Sequence, residues 1–289
     1  MTTGRLIEAN GVRLHLVEAG PLSGTPVVLL HGFPEFHFGW RHQIDALATA
    51  GYRVLAPDQR GYHLSDKPRG TAAYSLDVLV ADVVALLDGA GHERAFVVGH
   101  DWGGAVAWWL AVTRPERAAG LVAINVPHPT VMRRFLRHDR AQRRRSRYIF
   151  SFQLPWLPEY RLGRSDFAEL ERALTATSRP GTFSPDDLER YRSAWRQPGA
   201  LTAMLNWYRA ALRRPPRRLA SVRVTVPTLI VWGERDRFLR KAMVEPSAAL
   251  CDRVEVEMVA GATHWVQHEE PARVNRLLLD FLGRVAAAA

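Results

Sequence analysis

The sequence predicts an α/β domain built on a mainly parallel, twisted sheet flanked by helices, with a mostly helical segment inserted after the sixth strand. Three observations carry that expectation. Apolar runs without alternation recur along the chain, as strands buried on both faces require. Helical patterns lie between them, which is the order of a parallel sheet with crossover helices. The alternation then stops after Ile124 and resumes only at Val224.

The elements follow in order. Leu6 to Leu16 reads as two alternating strands around Asn10-Gly11, a strong hairpin signal because both residues tolerate positive φ. The buried runs are Val27–Leu30, Val54–Ala56, Phe96–Val98, Leu121–Ile124 and Leu229–Trp232. The clearest helix starts near Ser75, a capping residue, and sets Leu76, Leu79, Val80, Val83, Leu86 and Leu87 on one stripe before Gly89. Prolines 155, 158, 180, 198, 215 and 216 punctuate the segment from Pro129 to Ser221. Residues 1–128 and 222–289 are therefore expected to form one core domain, and 129–221 a helical cap.

Composition is that of a globular chain: 289 residues, 47% apolar and 24% charged, enough to bury a full core. The N-terminal stretch lacks the apolar run of a signal peptide, and no segment is long and apolar enough to span a bilayer. Cys251 is the single cysteine, so no intramolecular disulfide can form. A cytoplasmic location is expected. The net charge of +10 is concentrated: residues 129–220 hold 20 arginines against 8 acids, so the remainder carries −2. Such a segment can attract nucleic acid or an acidic membrane. Without a nucleic-acid motif it is read as a solvated helix face, with neither partner expected.

Chemistry concentrates at the ends of the buried strands. Gly99-His100-Asp101-Trp102-Gly103-Gly104 follows one strand and opens a helix. This is the glycine-flanked elbow that holds a nucleophile above a sheet, with an acid in place of serine. An aspartate capping a helix after a glycine turn would look similar, so the elbow needs partners. His31-Gly32-Phe33-Pro34 follows an earlier strand, where the Phe33 N–H can join the Trp102 N–H as an oxyanion hole. Asp236 lies just past Leu229–Trp232, and His264 follows Val254–Val259. Nucleophile, acid and histidine thus occur in the order expected for the α/β-hydrolase fold. His264 and His268 are also four residues apart, but no third ligand or metal motif accompanies them, so no metal is assigned. Asp58, after the strand Val54–Ala56, is read as a residue bracing its loop.

A carboxylate is already charged at neutral pH and can displace a leaving group from a strained or activated sp³ carbon. The resulting ester would be cleaved by water deprotonated by His264, which Asp236 orients.

On these motifs the sequence resembles the epoxide hydrolases of the α/β-hydrolase superfamily, over nearly the whole chain. His31–Glu35, Gly99–Gly104 and Gly261–Trp265 are similar to that family's core motifs. Tyr148–Gln153 and Leu205–Arg209 are similar to its two cap segments. The resemblance implies that Tyr148 and Tyr208 donate hydrogen bonds to an epoxide oxygen, with Tyr160 an alternative to Tyr148. It implies conversion of an epoxide and water to a vicinal diol, with no cofactor. Candidate pocket walls are Phe33, Trp102, Phe152, Trp207 and Trp265, and Glu35 is a candidate for holding water or His264. Haloalkane and fluoroacetate dehalogenases share the core motifs. Against them, the oxyanion loop has Phe33 where a halide donor is wanted, and the helix after Asp101 carries Ala105–Trp109 instead of arginines. A silent binding protein on this fold would not need nucleophile, acid and base together. The particular epoxide is not legible, and a homodimer stays open.

Overall fold

The structure is a computed structural model that describes residues 3–288. Its strands are β1 (Thr3–Ala9), β2 (Val12–Ala19), β3 (Pro26–Leu30), β4 (Arg53–Pro57), β5 (Ala95–His100), β6 (Ala118–Ile124), β7 (Thr228–Gly233) and β8 (Val254–Val259). They form one sheet in the order β1-β2-β4-β3-β5-β6-β7-β8. β2 pairs antiparallel with β1 and β4, and every other neighbouring pair is parallel. Three helices connect the strands before β6: α1 (Arg41–Thr49), α2 (Leu76–Gly89) and α3 (Asp101–Thr113). Between β6 and β7 lie α4 (Pro129–His138), α5 (Arg140–Arg145), α6 (Arg147–Ser151), α7 (Leu157–Thr175), α8 (Pro185–Trp195) and α9 (Ala200–Arg213). The chain closes with α10 (Val244–Ala248), α11 (Val266–Glu269) and α12 (Pro271–Ala287). None of these helices is long and apolar enough to cross a membrane.

The unbroken apolar runs are explained by where alternate side chains go. Val28 and Leu30 of β3 pack in one cluster with Leu79 and Val83 of α2 and Val106 of α3. Val27 and Leu29 of the same strand pack in the other, with Ile44 of α1 and Leu278 of α12. Each central strand is thus buried twice, which removes the alternation seen in one-sided sheets. At the edge, β8 keeps Glu255 exposed and Glu257 half-exposed, a charged border that discourages pairing with another chain.

The hairpin forms at Asn10 (φ 51°) and Gly11 (φ 73°), with Ala9 opposite Val12. Two successive positive φ angles match the twist of the flanking strands. Asn10 Nδ2 then reaches Asp82 Oδ1 of α2 at 2.8 Å. Ser75 does occupy the position before α2, but its hydroxyl makes no capping bond; Asp77 supplies the acidic first turn. The α2 stripe is buried as its spacing requires, except that Leu76 is half-exposed and Asp82 is buried beside the stripe. Asp82 is held there by Arg60, with Nε–Oδ2 at 2.7 Å and Nη2–Oδ1 at 2.5 Å, both side chains 6% exposed. The arginines of α4–α6 are exposed, as a solvated face would be. Arg209 of α9 is different: it is buried and forks onto Glu159 at 2.7 and 3.0 Å.

Removing one member of a buried ion pair strands the other charge, at a cost of about 3–5 kcal/mol. Asp82→Ala is therefore expected to lose about that much stability, whereas Arg60→Met with Asp82→Leu should lose distinctly less. Urea unfolding midpoints of the two variants check this. Equal losses would mean that packing, not the stranded charge, sets the cost.

Candidate active site

The elbow is a consequence of backbones in contact. A Cβ on Gly99 would stand 2.4 Å from the Gly103 carbonyl oxygen, and one on Gly103 would stand 2.1 Å from that of Leu30. Only glycine permits β5, α3 and β3 to meet this closely. Asp101, between them, takes φ +48°, a left-handed conformation that costs a non-glycine residue about 1–3 kcal/mol. The strain lifts its carboxylate clear of the sheet's C-terminal edge. Gly32 is required for the same reason, because a Cβ there would meet the Asp101 Cβ at 2.5 Å. The resulting approach lets the Phe33 N–H donate to Asp101 Oδ1 at 3.0 Å. Trp102 is the second residue of α3, so its N–H is among the helix's free first-turn donors.

His264 stands between two carboxylates. Its Nε2 is 3.6 Å from Asp101 Oδ2, and its Nδ1 is 2.8 Å from Asp236 Oδ2. Asp236 is in turn immobilised: Oδ1 accepts the N–H groups of Phe238 (2.7 Å) and Leu239 (2.9 Å), and Oδ2 accepts Asn125 Nδ2 at 2.8 Å. Asn125 lies just past β6 with φ +45°. The sequence reading missed it, although its place at the C-terminal end of a buried strand is the signal that flagged Asp236. Burial alone would favour a neutral His264, but Asp236 and Asp101 together outweigh it and raise the imidazole to about 10. Asp101 is half-buried, and its partial desolvation acts to raise its carboxyl. Its carboxyl is nonetheless held below the usual range by the bond and charge of His264 and the Phe33 N–H. Asp101 and His264 thus form an ion pair at neutral pH.

Glu35 does not touch the His264 side chain. It is buried, and accepts from Tyr191 Oη (2.9 Å), His268 Nε2 (2.7 Å), His100 Nδ1 (3.0 Å) and Gln267 Nε2 (3.4 Å). His100 carries the connection onward, its Nε2 donating to the His264 backbone carbonyl at 2.9 Å. The tautomer of His268 follows from its partners. Arg41 Nη1, which can only donate, meets Nδ1 at 3.0 Å, so Nε2 carries the proton given to Glu35. Burial would raise the Glu35 carboxyl, but His268 and His100 together hold it well below the usual range. His100, Tyr191 and Gln267 have no local sequence signal, because they meet only in the folded chain.

Aromatic rings gather around the carboxylate. The Tyr208 ring lies edge-on to Trp102 (5.1 Å), Phe152 (5.1 Å) and Phe33 (5.2 Å), and Tyr148 meets Tyr208 at 5.8 Å. Burial and the Asp101 charge push both phenols well above their ordinary range, so both keep their protons. Tyr160, the alternative to Tyr148, is 64% exposed. Trp207 and Trp265 stand one layer back. Their indole N–H groups are engaged by the Arg60 carbonyl (3.0 Å) and Thr177 Oγ1 (2.8 Å), and their rings support Trp102 and His264. Phe238, 5.1 Å from His264, is a neighbour that the sequence reading did not name.

Known proteins are similar to this chain in sequence and in fold. The α/β-hydrolase fold family matches residues 25–271. An AB hydrolase superfamily protein of Bacillus subtilis, YfhM, is 48% identical over 96% of this chain and 97% of its own. Epoxide hydrolase A of Mycobacterium tuberculosis is 36% identical over 97% of both chains. The crystal structure of a Bacillus megaterium epoxide hydrolase in complex with an inhibitor superposes with a TM-score of 0.88 at 33% identity, over 96% of this chain and all (100%) of that one. The chain belongs to the α/β-hydrolase superfamily and, within it, to the epoxide hydrolases.

The electrostatics set a stability optimum in pH. His31 and His128 are lowered to about 4 by burial, from 6.5. The unfolded chain protonates them first, so stability should fall as pH drops from 6.5 towards 4. His264 acts in the opposite sense: its contribution is complete below 6.5 and is lost as pH climbs to about 10. Melting temperature should therefore peak near neutrality, and His264→Gln should flatten the alkaline limb. A wild-type melting temperature that keeps rising towards pH 10 would contradict the assigned His264 shift.

Proposed function

We propose that this protein hydrolyses epoxides to vicinal diols through a covalent ester on Asp101. The observation that carries the proposal is the pair of protonated phenols, half-buried Tyr148 and buried Tyr208, beside a carboxylate already ion-paired to His264. On this reading residues 129–221 act as a cap that brings both phenols over the sheet edge, and the rest is the core.

The two oxygens of Asp101 would divide the work. Oδ1 is held by the Phe33 N–H and becomes the ester carbonyl. Oδ2 attacks an epoxide carbon, the ring C–O bond breaks, and its electrons pass to the oxygen. That oxygen stays tethered to the product and builds charge in an apolar setting, where an unpaired charge is expensive. The two phenols stabilise it and supply its proton. Esterification removes one of the two carboxylates that hold His264 near 10. The imidazolium can then return a proton to the phenolate left by ring opening, and the neutral imidazole takes one from water and directs the hydroxide to the Asp101 Cγ. The Phe33 and Trp102 N–H groups stabilise the oxyanion that forms on Oδ1. The diol leaves and the carboxylate is regenerated.

His264→Gln should therefore alkylate and then stall, so intact-protein mass spectrometry after incubation with an aryl epoxide should show enzyme plus one substrate mass. An unmodified variant that still binds substrate would remove His264 from the second step. Asp101→Ala should form no adduct and no diol.

General-acid assistance typically contributes about 10²–10⁴-fold. Tyr148→Phe or Tyr208→Phe should each slow alkylation, and the double variant should lose nearly all of it while remaining folded. Pre-steady-state tryptophan quenching on mixing with an aryl epoxide measures the step. Alkylation of the double variant at the wild-type rate would falsify the tyrosine assignment.

A further inference from the structure

A second cluster of imidazoles and a carboxylate lies outside the groups assigned to the reaction. Asp58, directly after β4, is fully buried. Its Oδ2 meets Nδ1 of His15 and of His63 at 2.7 Å, and its Oδ1 meets Nδ1 of His37 at 2.8 Å. His15 comes from β2, His37 from the turn after Glu35, and His63 from the loop after Asp58. The three rings crowd one another, with centroids 5.3, 5.7 and 5.8 Å apart. One donor atom from each of the four residues lies within 4.8 Å of all the others.

Bracing a loop needs one such partner, whereas three rings converge here. Asp58 also accepts the His37 N–H at 2.9 Å, so each carboxylate oxygen meets two nitrogens. His63 sits at φ +41°, a left-handed position that glycine would occupy without strain. The histidine side chains are 14, 19 and 17% exposed, so solvent can reach a cluster whose carboxylate is buried. Three nitrogens and one oxygen form a donor set for zinc and neighbouring divalent transition metals; magnesium and calcium prefer oxygen alone.

We propose that His15, His37, His63 and Asp58 form a four-ligand site for a divalent transition-metal ion of the zinc type. Four protein ligands close a tetrahedral shell, which is the pattern of structural zinc rather than catalytic zinc. Tetrahedral bonds of about 2.0–2.1 Å set donors roughly 3.3 Å apart, so the 2.7–2.8 Å contacts open by about half an ångström. Each neutral ring gives Nδ1 to the metal by carrying its proton on Nε2 instead, so no proton need leave. The ion would tie β2, the end of β4 and the segment that follows the Phe33–Glu35 loop. Chain separations of 43, 21 and 5 residues from Asp58 make it a long-range staple.

The test uses the full chain, stripped with EDTA, dialysed and titrated with zinc chloride alone. One zinc per chain is expected by calorimetry and by elemental analysis after gel filtration, with a melting temperature raised by several degrees. His63→Gly suits the local φ and His37→Ala removes a partly exposed ring, so both should fold. Each should lose the stoichiometric zinc and the thermal shift, while melting in EDTA and turnover of an aryl epoxide stay near wild type. Absence of zinc uptake by the wild-type chain at micromolar concentration would overturn the proposal and leave a hydrogen-bonded cluster. Uptake that persists in both variants would place the ion elsewhere among the eleven histidines and overturn it equally.

Discussion

The backbone contact between β3, β5 and α3 is the constraint on which the rest depends. Gly99, Gly103 and Gly32 have no side chains to hold these elements apart, and Asp101 is left at the crest of the turn with φ +48°. From that one position the carboxylate meets the Phe33 N–H on one side and His264 on the other. The site is therefore as rigid as the sheet beneath it. Strain at Asp101 is tolerated because the flanking strand and helix are among the most deeply buried parts of the molecule.

Electrostatics then distinguishes groups of the same chemical type. Histidines at one sheet edge take opposite shifts: His31 falls to about 4 because burial dominates, while His264 rises to about 10 because two carboxylates flank it. Tyrosines beside the same charge are pushed the other way from acids, which keeps their protons in place. Glu35, held by four donors, joins the loop after β3 to α8 and α11. His100 extends that link to the backbone of His264. The strained Asp101 and its partner His264 are thus supported by groups that are buried and hydrogen-bonded.

The sequence and the fold are similar to those of epoxide hydrolases over nearly the whole length. The His15–His37–His63–Asp58 cluster joins strand β2 to the segments that follow Glu35 and β4. His37 follows Glu35 closely in the chain, so the cluster adjoins the loop that carries the Phe33 N–H.

What the sequence by itself determined is whatever depends on neighbours in the chain. Apolar periodicity located the strands and α2, Asn10-Gly11 set the hairpin, and glycine spacing marked the elbow at Asp101. The positions after β7 and β8 pointed to Asp236 and His264, because side chains at strand ends converge on one sheet edge. Only the tertiary structure decided what depends on distant residues meeting. Asp82 reads as a solvent-facing helical acid until Arg60 is seen beside it. Asn125 gains its place only by reaching Asp236. Tyr148 separates from Tyr160 by burial, which the proline-rich segment does not reveal from its own spacing. Likewise Glu35, Asp58 and their histidines come from separate strands and loops. Burial and long-range pairing are properties of the folded sheet, and no local pattern encodes them.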